Sequence, residues 1–172
     1  MCRRNRTPAP GPACPLRPKL LLKLLPKLRG KIRPLRPDVR SVEIEVRTSD
    51  RRAIDVTEHV RAFAATAGSD GLLHVFVPHA TAGVALMETG SGSEADLDEL
   101  IERLLPRDDR YAHRHGSIGH GGDHLLPVLV SPSLTVPVLE GRVALGTWQS
   151  VVIVDPNREN NTRTLRLSFA PA

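Results

Sequence analysis

From residue 41 onward, apolar positions recur at two different periods, and the switching between them outlines a fold. Val42, Ile44 and Val46 alternate with Glu43, Glu45 and Arg47, which predicts a strand over 41–48 with one face buried. Asp55 then stands three residues ahead of Glu58, a capping-box pattern, and Val56, Val60 and Phe63 follow at helical spacing, so a helix is expected there, stopped at Gly68. The apolar run 72–78 predicts a central strand, and 84–88 a further one after a turn at Gly83. Ser93 and Asp96 repeat the capping-box spacing and open a second helix, whose Leu97, Leu100, Ile101 and Leu104 form one apolar stripe and which Pro106 ends. Periodicity lapses from Arg107 to Asp123, where three Asp, three His and four Gly gather; a stretch of that length without structure inside a domain is more often functional than idle. Strands resume over 125–130, 134–139, 143–154 and 164–169, with a tight turn at Glu140–Gly141. Strands dominate, two main helices interrupt them, and no βαβ series or internal repeat occurs. The expected class is α+β, with a largely antiparallel sheet or curled barrel.

Charge divides the 172 residues unevenly. Residues 1–40 hold twelve Lys or Arg against the single acid Asp38, a net of +11, whereas 41–172 hold twelve Arg, no Lys and eighteen acids, a net of −6. Eight of the fifteen prolines and both cysteines, Cys2 and Cys14, also precede residue 41. Two regions are therefore expected: a basic Pro/Leu-rich extension over 1–40 and a folded domain over 41–172. In the extension, Lys19, Lys23, Lys27 and Lys31 recur every four residues among leucines, a spacing that can lie on an anionic membrane. Pro18, Pro26, Pro34 and Gly30 work against a helix there, and the segment reads as a disordered arm or an over-long start from an upstream initiation codon. It fits a signal peptide poorly, because Lys23 breaks the apolar stretch and no small-residue cleavage site follows closely. No run of about 18 apolar residues exists, so nothing is expected to span a membrane, and the expected compartment is the cytoplasm.

Composition removes several chemistries. Aromatics make up 3% of the chain, too few for a base-stacking surface, and the domain's negative charge argues against specific nucleic-acid binding. Two cysteines outside the domain exclude a disulfide framework, a Cys-rich zinc module and a cysteine nucleophile in it. Phosphate-binding glycine loops and the nucleophile elbow are absent.

Histidine remains. All seven lie in the domain, and His113, His115, His120 and His124 crowd into twelve residues. Neutral imidazole is the commonest metal ligand, and three imidazoles leave a position open for water or substrate. His79 closes the strand over 72–78 ahead of the small residues Ala80-Thr81-Ala82-Gly83, and a bent connection would bring Glu88 to the same mouth, a carboxylate beside imidazoles suited to proton transfer. His74 and His59 read as strand and helix residues. Leu145-Gly-Thr-Trp-Gln149 carries the only Trp; a glycine in a strand marks a bulge or close approach, so Trp148 and Gln149 read as a pocket wall and a hydrogen bond, or Trp148 as core.

Read together, His79-Ala-Thr-Ala82, Glu88, Tyr111-Ala-His113, His124, Pro132-Ser-Leu-Thr-Val-Pro137, Gly141-Arg142 and Leu145-Gly-Thr-Trp-Gln149 resemble the YjbQ family, also named secondary thiamine-phosphate synthase, over about 41–169. The resemblance implies a compact α+β fold, a homotrimer with its histidine sites near subunit boundaries, and a weak thiamine-phosphate synthase activity. It places His79, Glu88, His113, His124, Trp148 and Gln149 in the site, with Asp155 where the family commonly has Glu and Arg163 where it has a basic residue. Thr81 and Ser133 belong to the matching motifs and are counted as substrate-binding. Three departures stand out: Met87 replaces a usual Asn, His120 a usual Asn or Asp, and Asp123 a usual Ala.

For the synthase reaction, a pyrimidine diphosphate and a thiazole phosphate would join with release of diphosphate. The expected roles are a divalent metal (Zn or Mg) on His79, His113 and His124, with Glu88, His79 and His124 catalytic and Arg163 or Arg114 neutralising charge. Two alternatives use the same residues: metal-dependent hydrolysis of a small phosphorylated or carbonyl compound, and a non-catalytic trimeric binder of metal or metabolite.

Overall fold

The computed structural model describes residues 38–48 and 51–172, so the basic extension lies outside the described residues but for its last three positions. Among the described residues eight strands and four helices follow in chain order: β1 (Arg40–Arg47), β2 (Ala53–Asp55), α1 (Thr57–Ala65), β3 (Gly71–Phe76), β4 (Gly83–Met87), α2 (Ser93–Leu104), α3 (His120–Asp123), α4 (Leu126–Leu129), β5 (Ser133–Leu139), β6 (Arg142–Val143), β7 (Ser150–Val154) and β8 (Thr162–Pro171). The fold is α+β with a curled antiparallel sheet. Its strands form a five-stranded sheet in the order β1-β8-β3-β5-β6 and a three-stranded sheet in the order β2-β7-β4. None of the described helices is long and apolar enough to cross a membrane.

Alternation in the long strands does what their sequence requires. Val46 of β1, Leu73 and Val75 of β3, Val136 and Val138 of β5, and Leu165, Leu167 and Phe169 of β8 point into one core, which α1 closes with Val60 and Ala64. The short β7 has no polar alternation because both its faces are buried. Val151 and Ile153 enter that core, while Val152 and Val154 meet a second one built from Ile101 and Leu105 at the α2 end and Leu126 of α4. Pairing of Val152 with Ala85 and Asp55 locks β7 between its two neighbours.

Both expected helices form, with altered starts. Asp55 Oδ1 accepts the Thr57 N–H at 2.8 Å, but Glu58 pairs with Arg61 instead of closing the box. At α2 the cap is Gly92 at φ +99°, Ser93 is already helical, and it is Glu94 that reaches back to the Gly90 N–H. Leu97 and Ile101 pack on the second core as the stripe predicts, whereas Leu100 and Leu104 stay exposed.

Two expected strands are corrected. Residues 125–130 form a helical turn, α4, with Pro127 in its first turn, where a missing N–H costs nothing. The segment is apolar yet buries only Leu126 within it, so composition alone suggested a strand. The strand over 143–154 is broken: β6 ends at Val143, a turn occupies 146–149, and β7 begins at Ser150. In that turn the Gly146 N–H donates to Gln149 Oε1 at 2.9 Å and the Gln149 N–H to the Gly146 carbonyl at 3.0 Å. Gly146 therefore marks a turn and not a bulge.

Candidate metal centre

The segment after Pro106 is anchored before it reaches its histidines. Tyr111 Oη donates to the Pro106 carbonyl at 2.9 Å, which seats the phenol under α3. Gly121 and Gly122 permit that approach: a Cβ on Gly121 would stand 2.6 Å from Tyr111 Cβ, and one on Gly122 2.9 Å from the far end of the phenol ring. From the other side Arg107 Nη1 holds the buried Asp123 at 2.6 Å and also donates to the Pro156 carbonyl, while Nη2 donates to that of Ile118. One turn of helix is thus clamped, and its i, i+4 spacing sets His120 and His124 on the same side.

Their Nε2 atoms are 2.9 Å apart. The preceding loop delivers His113 and His115, whose rings lie 4.0 Å from each other and 4.4 to 5.8 Å from the helical pair. Each imidazole offers a ring nitrogen, and all four ligand atoms fall within 4.8 Å of one another. Partial desolvation and then the neighbouring imidazoles lower the His113 and His124 pKa from the ordinary histidine value, which favours their neutral forms near neutral pH. An adjoining cavity of about 140 Å³ is lined in part by Tyr111, His113, Arg114, His115 and Ser117.

Beneath the cluster the segment 155–161 folds on its own side chains. Asp155 Oδ1 accepts the Asn157 N–H, Asn157 Oδ1 accepts those of Glu159 and Asn160, and Asn160 Oδ1 that of Thr162. Asn157 Nδ2 and Glu159 Oε2 each stand 3.3 Å from His120 Nδ1. Glu159 and Asn157 were not among the residues expected in the site. Their signal was the density of Asn and Asp in DPNRENN, which foretells turns but not what those turns carry.

The other expected site residues are placed elsewhere in the chain. His79 is not one of the four gathered imidazoles: its Nε2 accepts the Thr164 N–H at 2.8 Å, and burial together with Arg163 depresses its pKa. Of the expected metal set His79, His113 and His124, the last two stand together within one chain, in company with His115 and His120. Glu88 is exposed just beyond β4, whereas His79 precedes that strand, so at about 3.3 Å per residue an extended segment separates them. Asp155 and Arg163 make a buried ion pair at 2.8 Å; burial pushes the Asp155 carboxyl up while the guanidinium works against that. Thr81 is buried, Ser133 opens β5 opposite Phe76, and Gln149 is spent on its own turn. Trp148 is 73% exposed and so is not core in the single chain.

Comparison with known proteins follows the same outline. The model of the family described as UPF0047 protein YjbQ-like matches residues 42–172. The chain belongs to this family. A UPF0047 protein of Mycobacterium tuberculosis is 62% identical over 126 residues, covering 73% of this chain and 97% of that protein. Another, from Methanothermobacter thermautotrophicus, is 35% identical over 136 residues, covering 77% and 93%. Among solved structures, a hypothetical protein of Aeropyrum pernix K1 is 31% identical with a TM-score of 0.70, covering 77% of this chain and 99% of that one. A protein of unknown function from Sulfolobus solfataricus P2 shares the fold at a TM-score of 0.72 and 23% identity, covering 78% and 98%. The UPF0047 match starts at Val42, within two residues of where the charge pattern divides the chain.

Proposed function

We propose that this UPF0047 protein is a metal-dependent enzyme acting on a small phosphorylated compound, with a divalent metal held by His113, His115, His120 and His124. The single observation that carries this reading is the convergence of four imidazole nitrogens within 4.8 Å. Zinc binds imidazole nitrogen at about 2.0–2.1 Å in tetrahedral sites, which spaces the ligand atoms about 3.4 Å apart, well inside that span. Buried His120 and half-buried His124 form the fixed side; His113 and His115 lie on exposed loop backbone, where one imidazole can yield to a fifth ligand entering from the cavity. A zinc ion so held would lower the pKa of bound water to about 7 and polarise a phosphoryl oxygen. Hydrolysis needs no second substrate, and it is the reaction this arrangement supports best.

Thiamine-phosphate synthesis is the second reading, favoured by the family resemblance and by Arg114, which lines the same cavity and would face a departing diphosphate. It asks more of the chain, because His79 and Glu88 are not in the group that the four imidazoles form within one protomer. Assembly as a homotrimer belongs to the same proposal.

The test is an activity screen of zinc-loaded full-length protein against a phosphoester panel, and separately against the pyrimidine diphosphate with the thiazole phosphate. Phosphate release that EDTA abolishes, and that His120→Ala and His124→Ala lose, supports hydrolysis. Diphosphate release only with both partners present supports the synthase. Stoichiometric metal uptake without turnover on any substrate leaves the non-catalytic binder.

A further inference from the structure

His120 Nδ1 has two polar neighbours at the same distance and of opposite kind. Asn157 Nδ2 can only donate, and Glu159 Oε2 can only accept, each from 3.3 Å. The amide's direction is set, because Asn157 Oδ1 is taken by the N–H groups of Glu159 and Asn160 at 3.0 and 3.1 Å. The two neighbours therefore select different tautomers. Against the amide, His120 carries its proton on Nε2, aimed at His124 Nε2 2.9 Å away, and that nitrogen cannot bind a metal. Against the carboxylate, the proton sits on Nδ1 and Nε2 presents a bare lone pair to the other three imidazoles.

We propose that Glu159 is the positioning residue of this centre: its carboxylate takes the Nδ1–H of His120 and so turns the Nε2 lone pair toward His113, His115 and His124. The inference rests on the metal reading above and adds to it the group that prepares the buried ligand. Glu159 is itself held, since its other oxygen accepts the Ser117 N–H from the loop that carries His115, and the carboxylate thereby ties the loop ligands to the helical ones. Asn157 is not orphaned when His120 holds its proton on Nδ1, because its amide also faces Asp123 Oδ2 at 3.5 Å. Asp123 is neutralised by Arg107, which leaves Glu159 as the carboxylate available to His120. The proton moves from one ring nitrogen to the other, so no net charge is gained or lost. A carboxylate behind a ligating imidazole fixes its ring and strengthens it as a donor, and loss of such a partner typically weakens metal affinity 10–100-fold.

The experiment uses the full chain labelled with ¹⁵N-histidine, compared with Glu159→Ala and Glu159→Gln, each with and without zinc. Long-range ¹H–¹⁵N correlations report the His120 tautomer, and competition with a zinc chelator reports affinity. The expected result is an Nδ1–H His120 in the metal-free wild type, a change to Nε2–H in Glu159→Ala with zinc affinity about 10–100-fold weaker, and recovery of most of both in Glu159→Gln, which keeps an acceptor oxygen. An unchanged tautomer in Glu159→Ala overturns the proposal, even where affinity falls, because Glu159 would then serve only to tie down the loop. If the wild type takes up no zinc, the metal reading fails by itself, while the tautomer comparison still decides what Glu159 does to His120.

Discussion

Asp155 and Arg163 are each almost fully enclosed, and their charges meet at 2.8 Å. Removing one partner strands the other in a low-dielectric interior, so Asp155→Ala should cost about 3–5 kcal/mol, read as a lowered denaturant midpoint. His79 supplies a pH effect. Its Nε2 accepts an amide N–H, which protonation would end, and burial with Arg163 nearby holds its folded pKa below the ordinary value of 6.5. Above that value both folded and unfolded imidazoles are neutral and the folded state keeps its full stability. As pH falls below it the unfolded chain binds more protons, and stability declines until the folded pKa is passed. His124, shifted in the same direction, adds to that decline. The metal-free protein should therefore show a melting temperature that drops on acidification from about pH 7 to pH 5, with a shallower slope in His79→Gln. Legibility at this scale was uneven. The crowding of histidines over 113–124 pointed to the centre, whereas Glu159 looks from sequence like one more surface acid. Its role depends on Asn157, whose side chain folds the backbone around it.

At the scale of elements, the centre depends on how closely α3 lies over Tyr111. Gly121→Ala puts a methyl 2.6 Å from Tyr111 Cβ, an atom too near the backbone to swing away. The expected outcome is a loss of about 1–3 kcal/mol in chemical denaturation, with weakened zinc uptake as His120 and His124 are displaced. Adding Tyr111→Gly, which removes that Cβ, should restore part of the uptake, a coupling that a double-mutant cycle would measure. The long strands were readable because one face of each meets the core and the other meets solvent. The failures have a common cause. In 125–130 and 143–154 apolar residues persist through a helical turn and a loop, and short apolar runs carry no period that separates strand from turn. α3 escaped notice for the opposite reason: its sequence HGGD holds no apolar residue and two glycines, and tertiary clamping by Arg107 and Tyr111 makes it helical against its propensity.

For the molecule as a whole, the charge boundary near residue 41 and the family boundary at Val42 coincide, so the acidic part of the chain is the UPF0047 domain. Trp148, the chain's single tryptophan and 73% exposed in one protomer, is a natural reporter of the proposed homotrimer. Sedimentation should give three times the chain mass, and dilution to monomer should red-shift the tryptophan emission; a single-chain mass at every concentration would contradict the assembly. The most direct measurement of all is X-ray absorption at the zinc edge on zinc-loaded full-length protein, together with its metal content. One zinc per chain with nitrogen donors at about 2.0–2.1 Å and the outer-shell scattering of at least three imidazoles is the predicted result, lost in the His120→Ala, His124→Ala pair. Less than one zinc per chain, or a first shell of oxygens without imidazole scattering, would contradict it.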